Sequence, residues 1–249
     1  MTFQYKMRPL LRNFGPMLVM FLALIVAFGF YVHAEKQIDR ANDLRYRSYL
    51  LANQLRQSSD DMTRMVRTYV VTGAPRYKRY FQDIVDIRDG KQPQPKDYQY
   101  AYWDRALADA HLLQADRGPA IALLGQMRRV GVTDDELRSL AEAKANSDGL
   151  AAIELDAMKL VENVGPDAEA NRAKALLMLH DASYHHSKAV IMQLISEVSA
   201  RMDTRTADAV NTAESHATTF RFVFALFLLG TMIMLWRNRV SLQASKLKY

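Results

Sequence analysis

Gly15–Val32 reads GPMLVMFLALIVAFGFYV, a run with no charged residue, and Phe222–Trp236 reads FVFALFLLGTMIMLW, a second such run. A helix needs roughly 20 mostly apolar residues to cross a hydrocarbon core about 30 Å thick. Both runs reach that length once weakly polar neighbours are counted, Ala217–Phe220 among them. The chain is therefore expected to cross a membrane twice. The boundaries read as an N-terminal tail over 1–14, a first transmembrane helix over 15–33, an outer domain over 34–219, a second transmembrane helix over 220–236 and a C-terminal tail over 237–249.

The charges orient these crossings. Lys6, Arg8 and Arg12 precede the first run, Arg237, Arg239, Lys246 and Lys248 follow the second, and Arg221 lies at its outer end. No Asp or Glu occurs before Glu35 or after Glu214. Setting these eight basic residues aside leaves 25 of 33 against 27 acids, so the middle of the chain is close to −2. The overall charge of +6 is thus not a nucleic-acid signature. It sits where the positive-inside rule places it, with both tails in the cytoplasm and residues 34–219 in a bacterial periplasm. Val32-His33-Ala34 also offers small residues at the −3 and −1 positions of a signal-peptidase site. The apolar run is longer than a usual signal core, which favours an uncleaved anchor.

Cysteine is absent, so disulfides, thiol sensors and thiolate metal sites are excluded. The outer segment is long enough for one domain with its own core, and its apolar residues recur at three and four. Leu44, Leu51, Leu55, Met62, Met65, Val66 and Tyr69 mark one face of a helix from Ala34 to Val71. Thr72-Gly73-Ala74-Pro75 ends it, with Gly73 as the left-handed terminator and Pro75 opening a helix to Ile87. Asp89–Pro95 reads as a turn-rich loop. Tyr98, Tyr100, Tyr102 and Trp103 are expected on a short helix to Ala110, followed by a break near Asp116–Pro119. A helix over Ala120–Val130 closes at Gly131. Thr133 and Glu136 form a capping box opening a helix to Asn163. The last helix is expected to start near Ala168 and to run unbroken into the second crossing, burying Ile191, Ile195, Val198, Met202, Ala209, Val210 and Ala213. The expected fold class is all-α: a periplasmic antiparallel helical bundle whose long helices are continuous with two transmembrane helices.

The segment Arg67-Thr68-Tyr69-Val70-Val71-Thr72-Gly73-Ala74-Pro75-Arg76-Tyr77 resembles a feature of helical extracytoplasmic sensor domains of the CHASE type. Those domains often carry an aromatic–aliphatic–Thr-Gly turn at the distal end of a long first helix. They sit in sensor histidine kinases, diguanylate cyclases and chemoreceptors, with a similar two-crossing layout. The stretch from Tyr77 to Trp103 is longer and more aromatic than a minimal domain of that kind. The resemblance implies a receptor that detects a periplasmic cue and passes a helix displacement to a cytoplasmic output module, in cis or in trans. It also implies a homodimer. Residues 237–249 would then begin a signalling linker, and the chain would be truncated before its output. The rival reading is a periplasmic adaptor or scaffold anchored by the two crossings.

The candidate ligand site is an aromatic and basic cluster: Arg64, Arg67, Tyr69, Tyr77, Arg79, Arg88, Tyr102 and Trp103, with Tyr80, Phe81 and Tyr98 nearby. Arginine forks suit carboxylates and phosphates, and aromatic faces suit rings and cations. The same residues can equally make an aromatic minicore with arginines paired to Asp83, Asp86 and Asp89. The partner could be a small anionic or aromatic molecule or a periplasmic protein. His180, His185 and His186 lack the i, i+4 spacing that seats a metal on one helix face; His185 and His186 remain candidates for a response to acid. No nucleophile elbow, phosphate loop, HExxH or paired-Cys motif occurs, so no enzyme activity, cofactor or metal is expected.

Overall fold

The computed structural model describes residues 3–95, 98, 101–109 and 117–246. Among them are seven α-helices and no strand: α1 (Phe3–Thr72), α2 (Pro75–Arg88), α3 (Tyr102–Ala108), α4 (Leu123–Arg129), α5 (Asp134–Glu162), α6 (Ala168–Met178) and α7 (Ala182–Lys246). A lone bridge pairs Pro95 with Arg117. The chain divides into two compact units, Met1–Asp43 with Thr206–Tyr249, and Leu44–Arg205.

The first unit holds both apolar runs, on two helices long and apolar enough to cross a membrane. Their large side chains mostly face outward: Leu18, Phe21, Ile25, Leu226 and Met232 are all at least half exposed. A core helix of a soluble protein would bury them. The faces that meet are aromatic or small. Tyr31 stacks on Phe224 at 5.9 Å, Phe28 lies tilted against the same ring at 5.6 Å, and Phe30 stacks on Phe220 at 5.6 Å. Ala27, Ala34, Ala217 and Thr231 are buried. A side chain at Gly230 would meet the Met20 methyl at 2.3 Å, so its lack of a Cβ permits that approach. Arg221 pairs with Glu35 at 2.7 Å.

The second unit has a continuous core. α1 contributes Leu51, Leu55, Met62, Met65, Val66 and Tyr69, the stripe read from its periodicity, although Leu44 is only half-buried. Phe81 and Ile84 of α2, Leu123 and Met127 of α4, and Leu140 and Met158 of α5 complete it with α7's Ile191, Ile195, Val198 and Met202. Burying each such large apolar side chain contributes about 1.5–3 kcal/mol. Polar pairs fix the order of packing. Arg45 meets Asp203 at 2.9 Å and Asp60 meets Lys188 at 3.1 Å, so rising numbers in α1 face falling numbers in α7. Glu136 meets Arg205 and Glu154 meets Tyr184, which gives the same sense to α5 and α7.

The turns follow their chemistry. Gly73 adopts φ 65° and its N–H donates to the Tyr69 carbonyl at 2.7 Å, closing α1; Pro75 then opens α2. Gly131 (φ 86°) precedes Thr133, whose hydroxyl accepts from the Glu136 N–H at 3.3 Å while the Glu136 carboxylate accepts from the Thr133 N–H at 2.9 Å.

Several expectations are corrected. The last outer helix is not continuous: α6 stops at Met178 and α7 starts at Ala182. No Gly or Pro marks the break. Asp181 makes it by accepting from the Tyr184 N–H at 2.7 Å, as a helix-starting cap does. Buried Leu179 anchors the joint in the core. α4 is shorter than Ala120–Val130, and Tyr98 lies in a turn before α3. Ala209 is exposed and Ala213 half-buried, so the buried stripe of α7 thins beyond Met202. Tyr100, Ala110 and Asp116 lie outside the described residues.

Candidate functional site

The expected ligand cluster separates into a closed aromatic knot and four separate polar contacts. Tyr102 packs edge-on to Trp103 at 5.1 Å, Tyr80 lies 5.4 Å from the same indole, and Tyr98 lies 5.5 Å from Tyr102. The Trp103 Nε1–H donates to the Tyr98 hydroxyl at 3.2 Å. Trp103 is 2% exposed, so the ring faces that a ligand would need are spent on one another.

The arginines point to different partners. Arg88 is buried, donating to the Ser147 hydroxyl at 3.0 Å and to Asp148, which ties α2 to α5. Arg64 bridges Asp61 at 2.7 Å and Asp104 of α3. Arg67 lies over the Tyr184 ring at 5.3 Å and donates to the Leu179 carbonyl at 2.8 Å. Tyr69 donates to Glu162 at 3.0 Å, and Lys78 pairs with the same carboxylate. Tyr77 is half-buried beneath Arg76, and Arg79 is exposed. Of the acids expected beside these arginines, Asp86 meets Lys91 and Gln82, and Asp83 meets Gln92. Arg64 pairs instead with Asp61 and Asp104 and Arg88 with Asp148, while Asp89 stands 3.9 Å from Arg88.

A different set of residues forms a connected polar constellation in the core. Glu154, 1% exposed, accepts from the Tyr184 hydroxyl at 2.6 Å and the Thr63 hydroxyl at 3.1 Å. Thr63 and Tyr184 are themselves 3.0 Å apart. One helix turn along α7, Lys188 donates to Ser59 at 2.8 Å and pairs with Asp60 at 3.1 Å. Three elements therefore meet here: α1 through Ser59, Asp60, Thr63 and Arg67, α5 through Glu154, and α7 through Tyr184 and Lys188. Burial raises the Glu154 carboxyl above its ordinary range, against the pull of its Tyr184 and Thr63 hydrogen bonds. Burial also pushes Lys188 down, opposed by Asp60, and lifts the Tyr184 phenol with help from Glu154. The central carboxylate and phenol of this network are enclosed in the core. The network lets α1, α5 and the start of α7 settle only in registers that satisfy all of its donors.

Of these residues sequence reasoning singled out Arg67 but not Thr63, Glu154, Tyr184 or Lys188 as site candidates. One signal was available: Glu154 stands within the buried stripe Leu150, Ala151, Ala157 and Met158 of α5, where an acid needs a partner. Of the three neighbouring histidines, His185 meets the network, its ring edge-on to Tyr184 at 6.1 Å. His185 and His186 are exposed, and the His180 ring contacts the Leu176 carbonyl at 2.8 Å. Among the described residues, no group of three His, Asp or Glu side chains could hold a metal ion. No family model, curated protein or solved structure matches this chain.

Proposed function

We propose that this chain is the sensory region of a membrane-bound receptor. In this reading residues 15–33 and 220–236 cross a bacterial inner membrane, and residues 34–219 form an antiparallel helical bundle in the periplasm. A cue acting on the bundle displaces one long helix against another, and a cytoplasmic output module, in cis or in trans, reads the displacement. The receptor works as a homodimer and carries no enzymatic activity of its own. The observation that carries this reading is that α1 and α7 each supply one apolar run long enough to cross a membrane and one long face of the core of the second unit. A cue acts only through its different affinity for the two arrangements.

The closed aromatic knot favours one competing reading, a periplasmic adaptor held by two anchors, because a packed knot leaves a small ligand no obvious seat there.

The absence of cysteine makes topology directly measurable. Val164, 88% exposed, and Val240, 49% exposed, are each replaced by Cys in otherwise native chains. A membrane-impermeant maleimide applied to intact spheroplasts is expected to label V164C and to spare V240C until the cells are lysed. Labelling of V240C alone, or recovery of the protein in the soluble fraction, overturns the receptor reading. The receptor and adaptor readings separate by fusing the chain to a kinase output: an output that never responds to any periplasmic condition favours the adaptor.

A further inference from the structure

We propose that the cue is acidity, sensed by the Asp61–Arg64–Asp104 triad that joins α1 to the aromatic knot through α3. The biological meaning of this device rests on the receptor reading; its chemistry does not.

Asp61 is 7% exposed on α1, the one buried carboxylate on a stretch of that helix that also buries Ser58, Ser59, Met62 and Thr63. Two carboxylates share one guanidinium: Arg64 reaches back to Asp61 at 2.7 Å and across to Asp104. From α1, Asp61 faces Asp60 and Arg64; from α3 it faces Asp104; from the turn before α3 it faces the Tyr98 phenol. Asp60 has cations of its own, Arg56 at 3.0 Å and Lys188 at 3.1 Å, so it does not draw on Arg64. The Arg64 Nε is buried and has no acceptor among the described residues, which leaves the guanidinium only partly satisfied by them.

Burial raises the Asp61 carboxyl most, the Asp104 and Asp60 charges add to this, and Arg64 opposes them; the group titrates at about 6. Below that pH, Asp61 is neutral and Arg64 is committed to Asp104, tightening α1 onto α3. Above it, Arg64 is divided between the two carboxylates and the hold on α3 loosens. The proton thus selects between two strengths of one interhelix link. That link is contiguous with the knot, since Trp103 is the residue before Asp104 and its indole is bonded to Tyr98. The exposed histidines take no part in it.

The chain contains two tryptophans, so replacing Trp236 by Phe leaves Trp103 as the sole indole reporter beside the triad. Full-length Trp236→Phe protein in phospholipid nanodiscs is titrated from acid to neutral pH while Trp103 emission is followed. The expected result is a one-proton transition near pH 6. Asp61→Asn is expected to abolish it, and Asp104→Asn to move its midpoint down by roughly one pH unit, a tenfold loss of proton affinity. A His180→Ala/His185→Ala/His186→Ala chain is expected to titrate like the parent. Absence of a transition in the parent, persistence of it in Asp61→Asn, or its loss with the histidines overturns the proposal. If Asp61→Asn fails to keep its helical circular dichroism, the Asp104→Asn midpoint decides alone, and an unmoved midpoint counts against the triad. The measurement needs no output module or known topology. A failed transition with V164C still labelled from outside removes the proton sensor and leaves the receptor; the converse pattern does the reverse.

Discussion

The Arg67 guanidinium donates to the Leu179 carbonyl at 2.8 Å, so α1 holds the joint between α6 and α7 by its backbone. Asp181 caps the first turn of α7 two residues later, and Tyr184, beneath the same guanidinium, enters the Glu154 network. The interruption between α6 and α7 and the Glu154 junction are thus tied to one side chain. A helix displaced at α1 would be felt first at this joint.

Replacing Arg67 by Ala removes a charged hydrogen bond and its stacking on Tyr184. The expected loss is about 1.5–3 kcal/mol of stability, with faster amide exchange concentrated at residues 179–184. Arg67→Lys keeps the charge but not the planar fork, and is expected to recover only part of the loss. Chemical denaturation and hydrogen exchange measure both effects. Exchange that rises evenly along α6 and α7 would show that Arg67 does not clamp the joint.

Glu154 tests whether the network is retained for its hydrogen bonds or for its charge. Its folded carboxyl is raised by burial, so the ionised form is the costly one. Stability from this group is fully present below the unfolded pKa and is lost as pH rises through the folded value. Glu154→Gln preserves an acceptor for the Tyr184 and Thr63 hydroxyls without a charge. It is expected to match or exceed the native stability at neutral pH and to flatten that pH dependence. Glu154→Ala removes the carboxylate, leaving the Thr63 hydroxyl the Ser59 carbonyl at 3.1 Å and the Tyr184 hydroxyl only Thr63 at 3.0 Å, and should cost about 2–4 kcal/mol from the lost hydrogen bonds together with the cavity. Equal losses for Gln and Ala at pH 7 would indicate that the charge itself is what the site requires.

Glu136 has the opposite sign. Burial pushes its carboxyl up, but the Arg205 fork, 2.9 Å from both oxygens, and the Thr133 N–H outweigh burial and hold it below the ordinary range. Its contribution is present above the unfolded pKa and disappears as pH falls through the folded value. Thr133→Ala should cost about 1 kcal/mol, as a lost N-cap does. Glu136→Gln should cost more, because it weakens both the cap and the tie from α5 to α7. Thermal melts across the acid range check this: the native protein should lose a stabilising contribution at low pH that Glu136→Gln never had.

The sequence carried the elements further than it carried their contacts. Apolar spacing at three and four placed the α1 stripe from Leu51 to Tyr69, and Thr133 with Glu136 marked the start of α5 to the residue. These are local signals, written within one helix turn. The joint at Leu179–Asp181 has no Gly or Pro and is made by a capping Asp together with contacts from α1, distant in sequence. The aromatic and basic cluster was likewise legible as composition but not as geometry. Spacing alone could not show that Arg64, Arg67 and Arg88 reach three different neighbours, or that Tyr98, Tyr102 and Trp103 fill one another's faces.

Gly90 offers the sharpest steric test of how the loop after α2 is seated. Its φ of 73° lies in the left-handed region, and a Cβ there would stand 2.2 Å from the Ala122 backbone nitrogen and 2.7 Å from the Ile121 carbonyl carbon. The obstacle is backbone, which cannot rotate aside as a flexible side chain can. Gly90→Ala therefore carries both a conformational cost of about 1–2 kcal/mol and the displacement of residues 121–122. The neighbouring ion pairs Arg88–Asp148 and Lys144–Asp89, which tie this corner to α5, should loosen with it. Gly73→Ala is the control: its φ is also positive, at 65°, but nothing lies within 4 Å of the added methyl, so it incurs the conformational cost alone. Urea denaturation should rank Gly90→Ala clearly below Gly73→Ala. Equal stabilities would mean that residues 121–122 do not pack against Gly90 as described.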